Sequence, residues 1–167
     1  MLNDAHRLID ARAGSLDAAA ALLEAEPDLL RARTLLGETA LHYLAVENQI
    51  ELARWLFEHG AALDTVSEVL MSPLSDAAYL GHEALVGWLL DAGATLDLPG
   101  QCVPTLIAAV HSGNAAIVPA ILAAGADLAV SDRRGRTAMQ IAREDASLAA
   151  VAEVLQAAAA TADRRAN

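Results

Sequence analysis

Apolar pairs recur along the chain at Leu22-Leu23, Leu56-Phe57, Leu89-Leu90, Ile121-Leu122 and Val154-Leu155. A second apolar landmark recurs at Leu41, Leu74, Leu106 and Met139. Three of the pairs are followed by Gly-Ala, at Gly60-Ala61, Gly93-Ala94 and Gly125-Ala126, in steps of 33 and 32 residues. Turn residues Gly14, Asn48, Gly81 and Gly113 fall between the landmarks. A fixed period of this length marks a stacked-repeat protein, in which one unit cannot bury its apolar face alone.

Each unit divides into two helical stretches. The first covers about eight to ten residues, as at 39–47 or 72–80, and stops at the Asn or Gly turn. Thr39, Ser72 and Thr137 are placed to cap these helices, because their hydroxyls can accept from free N–H groups of the first turn. Pro73 sits at a first helical position, where its missing N–H costs nothing. The second stretch, 50–58 or 83–91, is apolar at Leu52, Trp55 and Leu56 or at Leu85, Trp88 and Leu89, which is helical spacing. Connectors of about ten residues, such as 125–136, lead into the next unit.

The segments GETALHYLA, SPLSDAAYLGHEALVGWLLDAGATLD and GADLAVSDRRGRTAMQIA resemble ankyrin repeats. The resemblance implies an all-α solenoid of about five helix–turn–helix units with β-hairpin fingers at right angles to the helices. Residues 1–160 then form one domain, with an N-terminal capping unit at about 4–36, repeats at 37–69, 70–101 and 102–134, and a C-terminal cap at 135–158. Residues 161–167 are left as a polar, disordered tail. The finger glycine of the pattern is present at Gly37 and Gly135 but replaced by Leu70. The third connector, DLPGQCVP, is one residue shorter and reads Pro-Thr where Thr-Pro is usual. Pro119 falls about one turn into a second helix and predicts a late start or a kink. Geometry should therefore deviate most around the third finger.

Composition narrows the function classes. The 55% of hydrophobic residues include only 3% aromatics, and alanine makes up about a quarter of the chain. Net charge is −11 and every basic residue is an arginine, a bacterial-like bias. That acidity disfavours nucleic acid, whose binding requires phosphate neutralisation. No apolar run is long enough to span a bilayer, and the charged N-terminus lacks a signal-peptide core. A single cysteine, Cys102, allows no internal disulfide and fits a reducing cytoplasm, although export as an effector stays open. A monomer is expected.

His42, in GETALHYLA, is the first candidate for chemistry. Its slot recurs as Ser75, Ile107 and Gln140, so no catalytic constellation repeats or converges on it. The resemblance makes it a frame residue whose ring bonds backbone near the finger, and gives His82 a similar place. His6 and His59 lie near helix ends, and no histidine pair has metal-ligand spacing. There is no G-x-S-x-G elbow or phosphate loop, and Ser112 beside His111 is only a sequence neighbour. No catalytic residue, cofactor site or metal site is assigned.

The signal for function lies in the fingers. Loops are ordinarily polar, as in SDRRGR at 131–136, yet the first three read RTLLGE, SEVLMS and GQCVP. Leu35, Leu36, Val69, Leu70, Met71, Cys102 and Val103 thus form an apolar row, which either packs finger against finger or meets a partner. Family members bind proteins through finger tips and the concave inner-helix face. The matching inner positions are Val46 and Glu47, Tyr79 and Leu80, and His111 and Ser112. Arg133, Arg134 and Arg136 form the one basic cluster, able to steer an acidic patch. The expected function is protein binding without catalysis; the alternatives are an acidic decoy or inhibitor of a nucleic-acid-binding protein, or an enzyme or metal protein.

Overall fold

The computed structural model describes Arg7, Asp10 and residues 16–166. His6 and most of the segment LIDARAG lie outside the described residues. The described helices are α1 (Leu16–Ala25), α2 (Ala40–Val46), α3 (Ile50–Glu58), α4 (Pro73–Tyr79), α5 (Glu83–Asp91), α6 (Thr105–Ser112), α7 (Val118–Ala123), α8 (Ala138–Glu144) and α9 (Ala149–Ala166). Short 3-10 turns occupy Pro27–Arg31 and Ala146–Leu148. The α2, α4, α6 and α8 helices stack in sequence as an inner row, while α3, α5, α7 and α9 each pack behind one of them.

Small residues allow that stacking. Ala77, Ala78, Ala108 and Ala109 are wholly buried in α4 and α6, so neighbouring helix backbones approach closely. Between the rows the larger aliphatics close the core: Leu41, Leu74 and Leu106 from the inner helices, with Leu56, Leu89 and Ile121 from the outer ones. Each contributes roughly 1.5–3 kcal/mol by leaving water. In the terminal pairs the second member is the buried one, Leu23 and Leu155, which keeps these residues on the same ruler.

At the foot of each finger, the N–H of the residue capping the inner helix needs an acceptor. Thr39 donates its N–H to His42 Nδ1 at 3.1 Å. Ser72 donates to Ser75 Oγ at 2.8 Å, and Thr137 to Gln140 Oε1 at 2.8 Å. These are reciprocal capping boxes built with three different side chains. The third inner helix, α6, is capped by Pro104, which has no N–H, and its slot holds the fully buried Ile107. The apolar residue at this slot in α6 thus follows from the proline three positions before it.

The fingers follow the same logic. The N–H groups of Thr34, Ser67 and Asp132 close three five-residue loops onto the carbonyls of Glu38, Met71 and Arg136, at 2.8, 3.0 and 2.9 Å. The equivalent donor in the third finger is Pro99, which has none. Gln101 substitutes, its amide donating to Val103 O at 2.8 Å while its Oε1 accepts from Leu98 N at 3.3 Å. The turn there moves to 98–101, with Gln101 N donating to Leu98 O and Gly100 at φ +90. Proline followed by a left-handed glycine is the pairing a type II turn requires. The third finger is therefore the divergent one.

Two sequence expectations change. The hairpin fingers contain no strand among the described residues, and a single antiparallel bridge, Ser131–Thr137, marks the fourth. Neighbouring fingers share too few bonds for a ladder: Glu68 N donates to Leu36 O at 2.7 Å and Cys102 N to Leu70 O at 2.8 Å. At the C-terminus α9 runs to Ala166, through the segment read as a polar tail, continuing the alanine-rich run before it. Pro119 occupies the first turn of α7, and that helix starts at Val118, three residues after the ruler position.

His42 joins two units. Besides capping α2, its Nε2–H donates to Met71 O of the next finger at 3.2 Å, which fixes a neutral ring with Nδ1 unprotonated. Burial lowers its pKa from 6.5 to about 4, outweighing the Met71 bond. Folding therefore favours the neutral ring, and its contribution is complete above pH 6.5 and lost as pH falls toward 4. Replacing His42 with Ala leaves the buried Thr39 N–H unpaired and removes the bond to Met71 O, which Ser67 N still satisfies, and should cost about 1–3 kcal/mol in urea unfolding at pH 7.5. His42→Gln should recover part of this, because Gln140 performs the capping half of the task.

Candidate functional site

The expected binding residues divide by exposure. Leu35 is 98% exposed, and Leu36 (53%), Val69 (52%), Tyr79 (49%), Leu80 (46%) and Val46 (44%) are also open. Glu47, His111, Arg133 and Arg134 are exposed as well. Leu70, Met71, Cys102 and Val103 are half-buried, and of these Val103 packs against the core. The first three fingers thus cover one another partly, through their edges, while Leu35, Leu36 and Val69 point away from that contact.

Two strips result. One runs along the fingers, and the other along the C-terminal ends of α2, α4 and α6, where the Tyr79 and His111 rings lie 6.1 Å apart. The finger strip is held rigidly. Arg33 Nη1 donates to Gly37 O and Val66 O at 2.7 and 2.9 Å, and the Cys102 thiol approaches Val69 O at 3.5 Å. Leu70 adopts φ +62 in the slot where Gly37 and Gly135 have +68 and +76. A branched side chain in this left-handed region costs on the order of 1–2 kcal/mol.

Sequence reasoning missed Asp76. It lies in α4, one helical turn before Tyr79 and Leu80, and its carboxylate makes no hydrogen bond among the described residues. Burial and the nearby Glu38 carboxylate push its pKa from 3.8 up to about 7. Glu38 belongs to the base of the first finger and accepts from Thr34 Oγ1 at 3.1 Å. The pair therefore sits between the finger strip and the inner-helix strip. One signal was available: the Asp76 slot holds Tyr43, Ala108 and Ile141 elsewhere, so an acid there breaks the ruler.

The remaining candidates have local tasks. His82 Nε2 bonds Val46 O of the preceding unit at 3.1 Å, and Asn114 repeats the device on Gly81 O at 2.9 Å. His59 caps α3 by its ring contact with Trp55 O at 2.7 Å. Trp88 packs between units, with Phe57 edge-on at 6.0 Å and the Arg54 guanidinium 5.8 Å from its ring. Arg136 is paired with Asp132 and Glu144, both at 2.8 Å, so the basic cluster offers a partner Arg133 and Arg134. Among the described residues no group of His, Cys, Asp or Glu could hold a metal ion.

Two stability predictions follow from this geometry. The raised pKa of Asp76 means that its ionisation opposes folding, with no penalty below pH 3.8 and the full penalty above about 7. Asp76→Asn should be more stable than wild type by on the order of 2 kcal/mol at pH 8, with the difference shrinking to near zero at pH 4. A pH-independent difference in urea midpoints would refute this account. Leu70→Gly relieves the left-handed strain and should raise stability by roughly 0.5–1 kcal/mol by the same measurement.

Comparison with known proteins agrees with this architecture. The ankyrin-repeat profile, in three copies, matches residues 8–99. The chain is 34% identical over 120 residues to a probable E3 ubiquitin-protein ligase of Oryza sativa subsp. japonica, covering 70% of this chain and 27% of that protein. A second E3 ubiquitin-protein ligase from the same plant is 39% identical over 87 residues, covering 52% and 19%. A Caenorhabditis elegans homolog of a transient receptor potential cation channel is 28% identical over 132 residues, covering 79% and 11%. The chain thus spans about a quarter or less of the length of these relatives. No helix among the described residues is long and apolar enough to cross a membrane. With three profile copies over more than half of its length and stacked helix pairs joined by fingers, the chain belongs to the ankyrin-repeat family.

Proposed function

We propose that this protein is a binding module that docks a protein partner across its finger tips and inner-helix ends, without catalysis of its own. Ankyrin repeats are protein-interaction modules, so the question for this chain is which surface it uses. The observation that carries the reading is the confinement of exposed large apolar side chains. Among the described residues, six of the seven (Leu35, Leu36, Val46, Val69, Tyr79 and Leu80) lie on the fingers or at the ends of α2 and α4, and only Phe57 lies elsewhere. Such clustering marks a surface that a partner covers, whereas scattered apolar residues need no explanation.

The mechanism is rigid display. Fingers bonded to one another and boxed onto their helices lose little conformational entropy on docking. Tyr79 supplies an aromatic anchor at low entropic cost, and Arg133 and Arg134 steer acidic groups of the partner toward one end. The module works as a monomer and meets one partner at a time.

The test is affinity capture with the wild-type chain and with Leu70→Ser/Tyr79→Ala as parallel baits. Captured proteins should disappear from the double variant and persist when salt is raised to ~0.5 M, where exposed charge pairs are screened. Capture that survives the double variant but washes off in salt would sink the apolar reading and favour an acidic decoy of a nucleic-acid-binding protein.

A further inference from the structure

The space between the two apolar strips has a chemistry of its own. Asp76 stands one turn from the exposed Tyr79 and Leu80, and Glu38 stands at the base of the finger that carries Leu35 and Leu36. The two carboxylates are close enough to repel, and no basic side chain bonds Asp76 among the described residues. Arg33, the nearest base of that finger, is committed to the carbonyls of Gly37 and Val66. The next finger adds Glu68, whose side chain lies over Gly37, so the finger side of the site is acidic as well.

We propose that the partner is a polypeptide segment presenting a lysine or arginine between aliphatic or aromatic side chains, with the cation seated at Glu38 and Asp76. This rests on the docking surface described above and adds the charge that the surface selects. The apolar neighbours of the cation would cover the finger strip on one side and Tyr79 with Leu80 on the other. The arrangement also explains why an acid is kept at a slot that is otherwise Tyr, Ala or Ile. A cation brought there reverses the repulsion between the carboxylates and compensates the burial of Asp76, so the site gains more from docking than a solvated acid pair would. A partner without a base would cover the two carboxylates without supplying a countercharge and be rejected, which gives selectivity through a penalty.

The test uses a displayed library of random 12-residue peptides, panned against the full chain with Leu70→Ser/Tyr79→Ala as counter-selection. Enriched peptides should carry Lys or Arg within two positions of a Leu, Ile, Phe or Trp. In a synthetic copy of the best binder, Lys→Met (or Arg→Met) should weaken binding to the wild type at least tenfold. The same change should weaken binding to Asp76→Asn less than threefold, although that variant is the better folded of the two. Glu38→Gln should give a smaller loss in the same direction. Peptides that depend on Leu70 and Tyr79 but lack a base, or that ignore Asp76→Asn, would overturn the cation site and leave the docking surface standing. If no peptide depends on Leu70 and Tyr79, the docking surface itself fails and the cation site with it.

Discussion

Everything in this fold hangs on one backbone N–H per unit, that of the residue where a finger turns into an inner helix. The group is buried at Thr39 and Ser72 and has no backbone acceptor within the helix it precedes, so a side chain of the first turn supplies one. A histidine, a serine and a glutamine answer this need in α2, α4 and α8, and Pro104 removes it in α6. The bond does more than satisfy a donor. It ties the end of the finger to the first turn of the helix, beside loops whose Leu36 O and Leu70 O accept from Glu68 N and Cys102 N of the next finger. His42 carries the coupling further, because its second nitrogen reaches Met71 in the neighbouring unit.

The third unit shows how far the rule extends. Pro99 and Pro104 delete the two N–H groups that close the finger and cap the helix elsewhere. Each deletion is matched: Gln101 bonds the carbonyl left open by Pro99, and an isoleucine replaces the acceptor made needless by Pro104. The unit loses the common geometry and keeps the same balance of donors and acceptors. A short connector with an odd order of residues is thus a coherent variant and not a damaged repeat.

This explains what could be read from the sequence. The ruler was legible because core positions depend only on apolar spacing, and Leu41, Leu74 and Leu106 are buried where that spacing puts them. The role of His42 was legible through its family slot, but the reason for Ile in that slot needed the cap residue three positions earlier. The apolar fingers were legible as unusual. Which of their side chains cover one another was not, because that depends on edge contacts between loops 33 residues apart, such as Glu68 N to Leu36 O. Asp76 was overlooked because a lone acid in a helix reads as solvated, and only packing against α2 and α6 half-buries it.

Three unfavourable groups lie along the fingers and the helix beside them. Leu70 holds a backbone conformation suited to glycine, Asp76 faces Glu38 without a base, and Leu35 stands wholly in water. Each could be relieved by a single substitution that the scaffold already uses elsewhere: glycine at the finger, an apolar residue at the acid's slot, arginine at the tip. Other contacts between units are settled, with Trp88 against Phe57 and Arg54, and His82 and Asn114 bonded to the preceding unit. On the docking reading proposed above, these three are the groups that a partner would complete. The cost in stability and the capacity to bind are then one property of these groups, and a variant that removes the first should lose the second.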